Sequence, residues 1–147
     1  AAARSFAGAG RRFEVLGERN GVTIVDDYAH HPTEVAATLA TARELGYKRV
    51  WAVDQPFTYS RTKALLHEFA QVLSAADRVV LTPIMGSREV DDGSVSSEDL
   101  AALIPGCVTV AGLKEAADYI KANAEPGDLV LTLGCGDVYK AARMMLQ

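Results

Sequence analysis

The chain has 147 residues, 49% hydrophobic and 23% charged, a balance that folds around a core and excludes a disordered tail. Fifteen basic residues against nineteen acidic ones give a formal charge of −4, which excludes a basic nucleic-acid footprint as the main theme yet leaves room for a local anion site. No apolar run approaches the roughly 18 residues a membrane helix needs, and two cysteines, Cys107 and Cys135, are too few for a disulfide framework or a four-ligand zinc site, so a reduced, cytoplasmic compartment is expected.

Residues 1–10 are small, lack a period, and show neither an initiating methionine nor the layout of a secretory signal; they read as a linker or the cut edge of a longer chain. From Arg12 the pattern changes. Phe13 and Val15, then Asn20-Gly21, then Val22 to Val25 predict a β-hairpin, because Asn-Gly supplies the positive φ angles of a tight turn. Pro32 opens a helix with Glu34 in its first turn and Val35, Leu39, Ala42 and Leu45 on one face, and Gly46 stops it. Arg49 to Val53 is a short apolar strand; Leu65, Phe69, Val72, Leu73 and Ala76 form a helical face; Val79 to Leu81 is a strand. Ser96 and Asp99 stand near capping-box spacing before Leu100, Leu103 and Ile104. Val108 to Val110 is a strand, Leu113, Ala117 and Ile120 mark a helix, Leu129 to Leu133 is the last strand, and Val138, Ala142 and Met145 mark the last helix. Apolar strands alternating with amphipathic helices predict an α/β fold: a six-stranded, mostly parallel sheet with one antiparallel edge strand and helices on both faces.

In such a sheet ligands bind beyond the carboxyl ends of the strands. Four polar segments fall there: Asp26 to Pro32, Asp54 to Arg61, Thr82 to Glu89, and Thr132 to Asp137. Each has a plain alternative. Asp26-Asp27 either cap a loop or face a ligand, and His30-His31 either cap the helix or serve a site. Gly134-Cys135-Gly136 is a packing turn or an anion-holding helix start, and Cys135 reads as structural. His67 reads as a surface residue. Arg61 and Lys63 at a helix start run against the dipole, which points Arg61 toward a bound carboxylate or phosphate. No G-x-x-x-x-G-K-[ST] phosphate loop is present, so any ATP-binding cradle comes mostly from outside this chain.

Arg12-Phe13-Glu14 followed by Val25-Asp26-Asp27-Tyr28-Ala29-His30-His31-Pro32-Thr33-Glu34 resembles the C-terminal domain of the Mur ligases. The likeness continues through Gln55 to Thr62, Ser87-Arg88-Glu89 and Gly127 to Val138, and covers about residue 6 to the end. Within the family it is most similar to the branch that joins L-alanine to UDP-N-acetylmuramate in peptidoglycan synthesis. The resemblance implies that residues 11–147 are the amino-acid-binding, closing domain of an enzyme whose N-terminal UDP-binding and central ATPase domains lie elsewhere. It implies ATP and Mg2+ as cofactors, an acyl-phosphate intermediate, and attack by the amino acid's amine. It also implies that the isolated domain is inactive, since an acyl phosphate needs a site sealed from water by several domains.

The same resemblance assigns roles. Arg12 and Asp27 would bind ATP, with Asp27 at the ribose. His30 and His31 would be catalytic, in the loop lining the reaction site. Tyr28, Thr58 and Arg61 would bind the amino acid, with Arg61 on its carboxylate. No metal ligand is assigned. Substituting Asp27 or Arg61 by alanine is expected to cost rate and spare the fold. The family's F-Q-P-H reads Asp54-Gln55-Pro56-Phe57 here, which removes a polar group and adds a charge near the amino-acid site. A murein-tripeptide recycling ligase of the same family and a non-catalytic amino-acid or nucleotide sensing module are the alternatives.

Overall fold

The computed structural model describes residues 12–147, so the linker expected over residues 1–10 lies outside the described residues. Strands β1 (Glu14–Arg19) and β2 (Val22–Asp27) form the hairpin, with φ of 54° at Asn20 and 79° at Gly21 as the tight turn requires. Next come α1 (Pro32–Arg43), β3 (Val50–Asp54), α2 (Tyr59–Ala64), α3 (Leu66–Leu73) and β4 (Arg78–Leu81). The chain finishes with α4 (Ser97–Ala101), β5 (Val108–Thr109), α5 (Leu113–Asn123), β6 (Leu129–Leu133) and α6 (Tyr139–Met145).

The sheet order is β1-β2-β6-β3-β4-β5, with β1 antiparallel to β2 and every other pair parallel. The six-stranded expectation holds, antiparallel edge included. Strand alternation divides the core. Val25, Ala52 and Leu81 pack with α1, α3 and α4 on one face; Ile24, Trp51 and Val130 pack with α5 and α6 on the other. The chain therefore travels from β2 to β5 along one face and returns through α5 on the other, inserting β6 between β2 and β3.

Some boundaries differ from the periodic reading. α1 ends at Arg43, before Leu45, which is 47% exposed; the chain turns through Gly46 at φ 82°. The helical face expected from Leu65 is broken at Leu65 itself (φ −115°, ψ 24°), which separates α2 from α3. Ser96 and Asp99 form a complete capping box. At the start of the parallel strands, buried Asp128 accepts from Trp51 Nε1 (2.9 Å), Arg49 Nη2 (2.8 Å) and the Glu125 N–H (2.9 Å), locking β3 against the turn into β6.

Candidate active site

Because β6 is followed by a helix on one face while β2 and β3 are followed by helices on the other, a crevice opens where their carboxyl ends meet. The three loops are stitched there. Gly134 N–H donates to the Asp27 carbonyl (3.2 Å), Gln55 N–H to the Leu133 carbonyl (3.0 Å), and Gln55 Nε2 to Asp137 Oδ1 (2.8 Å). A Cβ at Gly134, which sits at φ 149°, would lie 3.1 Å from the Gln55 carbonyl oxygen, so glycine suits the close passage of the last loop over the end of β3.

Asp27 organises the loop after β2. Its Oδ2 accepts from the Phe13 N–H (3.0 Å) and Thr38 Oγ1 (3.1 Å), and its Oδ1 from the Ala29 N–H (2.8 Å). It is 3% exposed, and burial raises its pKa above the ordinary range against those hydrogen bonds and Arg12. Three internal donors depend on this carboxylate, so alanine here is expected to cost stability as well as rate. A carboxylate offers about four acceptor positions, and three of those of Asp27 are taken by these donors. Arg12 is exposed beside it, its Nη2 3.4 Å from Glu34 Oε2. Neighbouring Asp26 is buried and accepts from Thr132 Oγ1 (2.6 Å), a strand-to-strand contact.

Glu34, read in the sequence only as a first-turn acid, joins three groups. Its Oε1 accepts from the His30 N–H (3.2 Å) and lies 3.6 Å from His30 Nδ1, and its Oε2 meets Arg12. His30 Nδ1 is also 3.1 Å from the Tyr28 carbonyl. Two acceptors at Nδ1 favour the tautomer with its proton there, leaving Nε2 as the acceptor nitrogen. The His30 ring meets Tyr28 edge-on at 5.4 Å and Phe57 at 6.4 Å, so Phe57, where the family pattern has histidine, supports the His30 ring across the crevice. His31 is exposed at the N-cap of α1 and makes no side-chain cap. Tyr28 is 40% exposed.

The second half of the site is the start of α2. Thr58 is a β-branched residue at φ 63°, a costly conformation of the kind that gathers at functional sites. It is held by its N–H to the Met85 carbonyl (2.8 Å), by Oγ1 accepting from the Arg61 N–H (3.3 Å), and by its carbonyl accepting from Thr62 Oγ1 (2.8 Å). Arg61 follows, half-buried, and its Nη1 is buried with no hydrogen-bond partner among the described residues. Glu89 accepts from the Ser60 N–H (3.0 Å) and hydroxyl, which, with Arg61 nearby, hold its carboxyl below the usual range. The structure thus gathers Arg12, Asp27, Tyr28 and His30 in one loop cluster and places Thr58 and Arg61 at the next strand end. Sequence reading missed the joining roles of Glu34, Gln55 and Asp137; all three lie in the quoted motifs, but nothing in residue type pairs Gln55 with Asp137.

Asp54, at the end of β3, is 3% exposed and its pKa is pushed up to about 7 by burial. Cys107 is also raised, to about 11, by burial and by Asp54. Cys135 is half-buried and His67 exposed. No three acidic, histidine or cysteine side chains among the described residues are grouped to hold a metal ion, and no helix of the described residues is long and apolar enough to cross a membrane.

The chain is 47% identical over 148 aligned positions to the UDP-N-acetylmuramate–L-alanine ligase of Caldanaerobacter subterraneus, covering 98% of this chain and 32% of that protein. It thus spans about a third of the length of the curated relatives it matches. Among solved structures, it resembles a single domain from a Haemophilus ducreyi protein assigned as a UDP-N-acetylmuramate:L-alanyl-γ-D-glutamyl-diaminopimelate ligase (TM-score 0.72, 28% identity, 92% of this chain and 97% of that one). It also resembles the UDP-N-acetylmuramate–alanine ligase from Thermotoga maritima (TM-score 0.71, 27% identity, 92% of this chain and 29% of that one). The family model described as Mur ligase, glutamate ligase domain, matches residues 11–136, and the chain belongs to that family.

Proposed function

We propose that this chain is the amino-acid-binding, closing domain of an ATP-dependent ligase that joins L-alanine to UDP-N-acetylmuramate. The observation that carries the reading is the 47% identity to an L-alanine ligase over 98% of this chain. The UDP-binding and ATPase domains would belong to the same parent protein, working in the cytoplasm.

In this reading Arg12 and Asp27 would hold ATP. When bound, ATP supplies the phosphoryl group that activates the muramate carboxylate. The residues here fit a nucleotide contact of that modest kind; they do not fit a magnesium site, whose ligands would come from the phosphates and the other domains. Arg61 would grip the alanine carboxylate in a two-pronged way, at the α2 start that Thr58 shapes. A buried donor without a partner costs about 1–3 kcal/mol, and a carboxylate brought against the guanidinium offsets that cost. His30, its Nδ1 proton oriented by Tyr28 and Glu34, would present Nε2 to the ammonium of the incoming amino acid and take a proton, freeing the amine lone pair for attack. Exposed His31 and Tyr28 would line the same mouth. Closing the domain would exclude water from the acyl phosphate.

The test is phosphate release by the parent protein with ATP, magnesium and UDP-N-acetylmuramate, comparing L-alanine with murein tripeptide. Release that depends on L-alanine supports the reading. Release with tripeptide and the free N-acetylmuramyl precursor moves the protein to the recycling branch, and release with neither leaves a sensing module.

A further inference from the structure

At the opposite end of the domain, where β2 begins, lies a cavity of about 250 Å3 that the ligase reading does not use. Its floor is apolar: Val22 and Ile24 from β2, Ile120 from α5 and Met145 from α6, each 7% exposed or less. Its wall is fixed by the hairpin turn, where a Cβ on Gly21 would stand 2.8 Å from Pro126 Cβ. Arg19 and Lys121 stand at the rim, and among the described residues no acidic side chain lines the cavity.

Neither cation forms an ion pair with a described residue, although the chain as a whole carries −4. The ends of α5 and α6 point here, and each helix C-terminus carries a partial charge of about −0.5. Those partial charges oppose an anion and fall off within the last turn, whereas Arg19 and Lys121 each bring a full positive charge to the rim. An apolar floor beneath two cationic side chains is complementary to a small amphiphile with an anionic head. A cavity of about 150 Å3 holds benzene, so this one has room for a somewhat larger body, such as a chain of about eight carbons.

We infer that this cavity is a second binding site, taking a small monoanionic amphiphile with its apolar body on Val22, Ile24, Ile120 and Met145 and its carboxylate between Arg19 and Lys121. The site is remote from the reaction loop: β2 starts in it and reaches the reaction crevice only at Asp27.

The experiment is titration of the 147-residue chain with octanoate, octan-1-ol and octylammonium, followed by backbone amide NMR. Octanoate is expected to shift the amides of Val22, Ile24 and Ile120 saturably, binding at least about fivefold more tightly than octanol and more tightly still than octylammonium. The double variant Arg19→Glu with Lys121→Glu, at two exposed positions, is expected to weaken octanoate at least about tenfold while keeping a dispersed spectrum. Equal binding of the three probes, saturation elsewhere on the chain, no saturation by octanoate, or an unchanged affinity in the folded double variant would each overturn the proposal. The comparison of the three probes on the unsubstituted chain decides the matter even if the double variant fails to fold.

Discussion

The Phe13 N–H donates to Asp27 Oδ2 at 3.0 Å, tying the residue that follows Arg12 to the loop that carries Tyr28 and His30. Phe13 is held there at φ 45° with its ring buried, so a strained backbone position and a buried carboxylate depend on each other. Asp27→Asn places an amide N–H against one of three donors that now meet a carboxylate. We expect it to destabilise the chain by about 2–4 kcal/mol, the cost of one or two unsatisfied buried donors. Thr38→Val removes one donor with its acceptor left partnered and should cost about 1 kcal/mol. Urea denaturation checks both; an Asn variant as stable as the original would show that Asp27 does not organise the loop.

Arg61 is expected to behave in the opposite way. Its buried Nη1 has no hydrogen-bond partner among the described residues, so their packing gains nothing from it there. Arg61→Ala should leave the urea midpoint of the chain unchanged or raised, while slowing phosphate release by the parent protein about 100-fold or more. Arg61→Lys should not restore the rate, because an ammonium lacks the two-pronged geometry. A clear loss of stability with near-normal turnover would make Arg61 a structural residue.

Asp54 makes stability depend on pH with a distinctive sign. Burial raises its pKa from 3.8 to about 7, so the folded chain holds a proton that the unfolded chain releases. Its contribution is fully present below the unfolded value and is lost as pH rises through about 7. Asp54→Asn removes that dependence. The stability of the variant relative to the original chain should therefore rise between pH 4 and pH 8, with a ceiling of about 4 kcal/mol. Paired urea titrations at the two pH values measure the difference, and a pH-independent difference would show that this carboxyl is not desolvated.

Asp128 carries the reverse sign. Burial pushes its carboxyl up, but Arg49, the Glu125 N–H and Trp51 outweigh it and hold the pKa below the usual range. Its stabilisation is present above the unfolded value near 3.9 and fades as pH falls through the folded one. Asp128→Asn takes from half-buried Arg49 its closest ion-pair partner, leaving Glu125 at 3.9 Å and the Asn123 carbonyl, and should cost about 3 kcal/mol at neutral pH. The loss should shrink in acid, where the original chain also loses the charge. Thermal or urea unfolding at both pH values tests this.

Much of the molecule follows from local rules that act within a few residues. Asn20-Gly21 sets the hairpin, Pro32 and Glu34 the start of α1, and Ser96 with Asp99 the start of α4, because turn and cap chemistry involve neighbours in the chain. The continuous apolar strands likewise require a sheet covered on both faces. The motif from Asp26 to Glu34 also falls at a strand end, as the periodicity led one to expect.

What neighbours cannot encode is which distant segments meet. The insertion of β6 between β2 and β3 brings Asp137 to Gln55 and Phe57 to His30, and it depends on the chain's return along the second face. The same packing decides burial, and burial decides charge. Adjacent Asp26 and Asp27 are alike in sequence, yet Asp26 binds Thr132 across the sheet while Asp27 anchors the loop. Residue type determined that this chain has carboxylates and a guanidinium at the strand ends; only the tertiary structure decided that Asp54 is desolvated and that Arg61 holds a buried donor in reserve, because desolvation is a property of everything packed around a group.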